Sequence, residues 1–81
     1  MTLTEVESAD REVDASGLNC PLPILKTRKA IMGLSYGGVL KVTATDPGSV
    51  KDMEAFCNQT GHELMASGEA SGSYVFLIRK H

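Results

Sequence analysis

The sequence predicts a small two-layer α/β domain with the element order βαβαββ. Three observations carry that reading. Val39-Leu40-Lys41-Val42-Thr43-Ala44-Thr45 is rich in β-branched residues and reads as a strand. Two stretches with helical spacing of apolar residues flank it, each opening beside a proline. Tyr74-Val75-Phe76-Leu77-Ile78 is an unbroken apolar run of strand length, near the C-terminus. Eighty-one residues make one domain with a thin core, so chemistry is expected at a surface position, with a partner completing the site. A composition of 42% hydrophobic and 22% charged residues argues against disorder.

In chain order, residues 1–9 are expected to form a flexible N-terminus and residues 10–81 the single domain. Arg11–Ala15 reads as a weak strand, with Val13 its one strong β-former. Ser16-Gly17 breaks it, and Leu18-Asn19 leads to Cys20. A helix is expected from Pro21 to about Leu34. Ile24, Thr27, Ile31 and Leu34 share its inner face, Leu25 and Met32 widen it, and Gly33 and Gly37-Gly38 supply the stop. Asp46-Pro47 opens a second helix with Asp46 as the expected N-cap, and Ser49-x-x-Asp52 offers a competing capping-box start. Val50, Met53, Cys57 and Thr60 would form its buried face, with Phe56 beside it and Gly61 ending it. His62–Ala66 reads as a third strand, Ser67–Ser73 as a turn, and Tyr74–Arg79 as a fourth strand buried on both faces.

The stretch Gly17-Leu18-Asn19-Cys20-Pro21-Leu22-Pro23 is the chemical focus. The residue before a proline avoids helical geometry, so Cys20 is expected at the N-cap, where the helix dipole favours negative charge. A thiol so placed would titrate below the free-thiol reference of about 8.5. Pro21 and Pro23 carry no N–H, which leaves the Leu22 amide as the donor within reach of the sulfur. The competing reading is a small hydrophobe that merely caps a helix.

Charge is unevenly placed. Residues 21–45 carry Lys26, Arg28, Lys29 and Lys41 and no acid, although the chain as a whole has net charge −2. Lys26 and Lys29 are either a solvated helix face or a docking face for an acidic partner, with Arg28 the strongest docking candidate. Right-handed crossovers would start both helices at one sheet edge, placing His62 at the opposite edge and Asp46 beside Cys20, where Asp46 is either only a helix cap or also a docking contact for a partner. That argues against a Cys20–His62 nucleophilic pair. Cys57 is expected to be a buried structural residue, and the spacing of Cys20, Cys57, His62 and His81 fits no zinc pattern. Two cysteines and a polar, acidic start without a signal-peptide pattern favour the cytoplasm. Net acidity and four aromatic residues argue against direct nucleic-acid binding, and no apolar run is long enough for a membrane span.

The run Asp14-Ala15-Ser16-Gly17-Leu18-Asn19-Cys20-Pro21-Leu22-Pro23 resembles the signature of the TusA/SirA-like sulfur carriers, whose hallmark is Cys-Pro-x-Pro. The similarity continues through Thr45-Asp46-Pro47-Gly48, Phe56-Cys57, Gly61-His62-Glu63-Leu64 and Leu77-Ile78-Arg79-Lys80. The resemblance implies an α+β fold, a two-layer βαβαββ sandwich with a mixed four-stranded sheet. It implies that Cys20 accepts sulfane sulfur as a persulfide, with Pro21, Leu22 and Pro23 supporting the motif. The sulfur would come from a cysteine desulfurase or a rhodanese. It would go to a relay protein, for tRNA 2-thiolation or within dissimilatory sulfur oxidation. No cofactor or metal is expected beyond that transient persulfide, and a carrier that docks with several partners in turn is expected to be a monomer. The alternative is a regulatory or interaction module in which Cys20 only caps a helix. A carrier that uses a terminal thiocarboxylate is disfavoured, because the sequence given ends Arg79-Lys80-His81 without Gly-Gly.

Overall fold

The computed structural model describes residues 9–81, and the expectation of a flexible segment over residues 1–9 falls almost wholly outside them. The elements are β1 (Arg11–Ala15), α1 (Leu22–Met32), β2 (Val39–Ala44), α2 (Ser49–Thr60), β3 (Glu63–Ala70) and β4 (Ser73–Arg79). The sheet order is β1-β2-β4-β3. β1 runs parallel to β2, from Arg11 opposite Leu40 to Ala15 opposite Ala44, and β4 is antiparallel to both β2 and β3. The sheet is therefore mixed, as the family resemblance implied. β3 runs in the same direction as β2, with β4 between them, so both helical connections are crossovers that start at one sheet edge.

Alternation puts Leu40, Val42 and Ala44 of β2, with Phe76 and Ile78 of β4, on the helix-covered face. α1 packs over β1 and β2, and α2 over β3 and β4. Ile31 of α1 and Met53, Phe56 and Cys57 of α2 close the core against that face. Burying an aliphatic or aromatic side chain of this size stabilises the fold by roughly 1.5–3 kcal/mol each. Leu77 is buried on the face that carries no helix, so only the middle of β4 is buried on both sides.

Several boundaries differ from the sequence expectation. The inner face of α1 is Pro23, Thr27, Ala30 and Ile31. Leu25 and Met32 point outward, 50% and 72% exposed, because the helix settles on the sheet through its small residue Ala30. In α2, Ser49 takes a buried place, whereas Thr60 is exposed and its hydroxyl donates to the Phe56 carbonyl at 2.6 Å. β3 continues to Ala70, past the expected turn, and the connection tightens to Ser71-Gly72. Both of those residues have positive φ, the signature of a type I′ hairpin whose twist matches the strands it joins. Gly61 ends α2 in the left-handed conformation, and its N–H donates to the Cys57 carbonyl.

Candidate functional site

The site lies where the loop after β1 meets the loop after β2. The first loop is pinned along its length. Ser16 N–H donates to Asp14 Oδ1 at 3.0 Å, Gly17 N–H to Thr45 Oγ1 at 2.8 Å, and Cys20 N–H to Asp46 Oδ2 at 2.9 Å. Gly17 has φ +80, a backbone geometry that a side chain would strain. The opening of the second crossover thus fixes the backbone of the cysteine that opens the first. The sequence placed Cys20 and Asp46 at one edge, and they meet there.

The local roles differ from those expected. α1 starts one residue later than the cap assignment: Pro21 is the N-cap, and its carbonyl accepts the Leu25 N–H at 3.1 Å. Cys20 stands one residue outside the cap, exposed, and the Cys20–Pro21 peptide bond is cis. The Leu22 N–H donates to the Asn19 carbonyl at 2.8 Å and is not available to the sulfur. Pro23 is buried at the second helical position, where its missing N–H leaves no gap in the helical ladder. Asp46 does not cap α2 through its side chain. Gly48 holds that position without a side-chain cap, and the Asp46 carboxylate is taken up by the Cys20 amide.

Charge around the thiol is also reversed from the expectation. The helix turns 100° per residue, so Lys26 and Lys29 face a cleft against β1, with Arg11, Glu12 and Asp14, away from the sulfur. Lys26 Nζ donates to the Asp14 carbonyl at 3.0 Å. Arg28 alone of the three shares a groove with Cys20. That groove, about 210 Å³, is walled by Pro21, Ile24, Ala55 and Phe56, with Arg28, Asp52 and Gln59 as its polar lining. The Arg28 guanidinium stands 5.8 Å from the centroid of the Phe56 ring, in cation–π range.

Asp52, in the first turn of α2, is the residue the sequence reading missed. It lines the same groove as Cys20, and its carboxylate pushes the thiol above its ordinary value, with partial desolvation and the Asp46 charge adding to the effect. Cys20 is therefore a harder thiol to ionise than a free one, the opposite of what the helix terminus alone predicts. The Ser49-x-x-Asp52 spacing had marked the residue but assigned it to a cap. Cys57 is buried in the core, and that burial raises its thiol. His62 is held by the His81 amide at 3.1 Å and by the Phe56 ring at 5.8 Å, at the C-terminal end of α2.

The profile of the sulfurtransferase TusA family matches residues 11–80. The chain belongs to the TusA family. It is similar to a sulfur carrier protein TusA from Allochromatium vinosum, at 62% identity over 71 residues covering 88% of this chain and 93% of that protein. It is similar also to one from Pseudomonas entomophila, at 48% identity and with 88% and 89% of the two chains covered. A solved SirA-like protein from Desulfitobacterium hafniense shares the fold, with a TM-score of 0.76 and 24% identity over 85% of this chain and 95% of that one. Membership agrees with the geometry at one decisive place: the cysteine of Cys-Pro-x-Pro is the exposed one, and the other is core.

Proposed function

We propose that this TusA-family chain carries sulfur on Cys20, as a persulfide received from one protein and delivered to another. The carrying observation is the presentation of Cys20: exposed, with its backbone held by Asp46 and its carboxyl side fixed by two prolines. A pinned backbone with a free sulfur suits a thiol that must meet two partners in turn, because little order is lost at each encounter. In the step itself, the Cys20 sulfur attacks the outer sulfur of a donor persulfide. The new S–S bond forms on Cys20, the donor's own S–S bond breaks, and the thiol proton ends on the departing donor sulfur.

The donor class is a cysteine desulfurase or a rhodanese, and the acceptor is a relay protein for tRNA 2-thiolation or for sulfur oxidation. The working compartment is the cytoplasm, where reduced thiols persist. No helix among the described residues is long and apolar enough to cross a membrane. Docking uses Arg28 with Leu22 and Leu25, two large apolar side chains 46% and 50% exposed near the start of α1. Lys26 and Lys29, turned toward β1, contribute little to it.

The test is transfer. Carrier loaded with radiolabelled sulfur and freed of donor is mixed with a relay acceptor. Label that moves to the acceptor and leaves Cys20 supports the reading, and label that stays on the carrier, or is released only as sulfide, opposes it.

A further inference from the structure

Three charged groups stand around Cys20, each from a different part of the chain. Arg28 from α1 and Asp52 from α2 line its groove, and Asp46 from the β2–α2 loop accepts its backbone amide N–H. They are not equivalent. Asp46 is committed to the Cys20 amide, and Arg28 lies over the Phe56 ring. Among the described residues, Asp52 forms no ion pair within 4.0 Å, and its carboxylate stands in the groove with the thiol. At the start of α1, Pro21 and Pro23 have no N–H to offer the sulfur, and the Leu22 N–H is bonded to Asn19.

We infer that Asp52 is a positioning residue that holds the proton on the Cys20 sulfur in the free carrier, so that an exposed thiol stays slow toward electrophiles between loadings. The inference deepens the persulfide reading, since a guarded thiol matters to a chain that carries its cargo there. The raised titration of Cys20, with Asp52 its largest cause, agrees with this geometry. A carboxylate facing a thiol favours the neutral S–H, because ionisation would set two negative charges side by side.

The experiment is the pH dependence of iodoacetamide alkylation of Cys20 in the full chain, followed by intact mass. Wild type, Asp52→Asn and Asp46→Asn are compared in a Cys57→Ser background. Asp52→Asn moves the midpoint down and raises the rate at neutral pH several-fold, and Asp46→Asn moves it less. A profile for Asp52→Asn that overlays the wild type overturns the inference, as does a larger shift in Asp46→Asn. Thermal melts confirm folding, and Asp52→Ser replaces the asparagine variant if that chain does not fold. Loading with a cysteine desulfurase is measured on the same proteins. Sulfur gained by wild type and Asp52→Asn alike, with unchanged alkylation profiles, removes the Asp52 role and leaves the carrier. Altered profiles with no sulfur gained by either remove the carrier and leave the Asp52 role.

Discussion

The Cys20 amide donates to Asp46 Oδ2 at 2.9 Å across 26 residues of sequence. That bond ties the start of one crossover to the start of the next, and it holds the backbone of the residue that carries the chemistry. Asp46→Ala removes the acceptor. A hydrogen bond to a charged, half-buried carboxylate is worth about 1 kcal/mol here after solvent screening. The expected outcome is a loss of about that size in urea unfolding, with faster hydrogen exchange at the Cys20 amide.

Arg28 separates from its neighbours by geometry. It lines the Cys20 groove, whereas Lys26 and Lys29 face the cleft beside β1. Arg28→Glu is expected to weaken donor binding by about tenfold or more, a charge reversal worth at least about 1.4 kcal/mol at a desolvated contact. Lys26→Glu and Lys29→Glu are expected to change it by less than about threefold. Isothermal titration calorimetry against a desulfurase checks the ranking.

Much of this site was legible before the fold was known, and the limit falls at a definite place. The handedness of βαβ crossovers put Cys20 and Asp46 at one edge and His62 at the other, and the helical spacing set Arg28 apart from Lys26 and Lys29. What failed was the charge at the thiol. Sequence spacing shows the basic residues that follow Cys20 on α1, but Asp52 shares the Cys20 groove only because α2 packs beside α1. Asp46 likewise carried a cap signal, and the nearby Cys20 amide took its carboxylate instead. In both cases a tertiary partner displaced the local role that the sequence pattern suggests. The exposed Leu25 and Met32 have the same origin, since packing on the sheet buries the Pro23, Thr27, Ala30 and Ile31 side of the helix.

His62 supplies a pH dependence with a definite sign. Burial, reinforced by Lys80 and His81, holds its imidazole below the ordinary histidine value of 6.5. The folded chain therefore binds fewer protons than the unfolded chain between that reference and the lowered value. Stability contributed by His62 is fully present above pH 6.5 and is lost as the pH falls through the folded value. Urea midpoints across that range, in wild type and His62→Gln, are expected to converge toward low pH.

Phe56 joins the functional groove to the core, being 4% exposed and touching both Arg28 and His62. Phe56→Leu is expected to cost about 1–2 kcal/mol of stability through lost packing. It should also free the Arg28 guanidinium, which is read as a weaker affinity for the donor at temperatures where the chain remains folded.

The most direct measurement of the central claim is the intact mass of the chain after incubation with a cysteine desulfurase and cysteine. The persulfide account predicts a gain of one sulfur atom that a reductant removes, present in wild type and Cys57→Ser and absent in Cys20→Ser. A gain that survives in Cys20→Ser, or no gain in wild type, contradicts it.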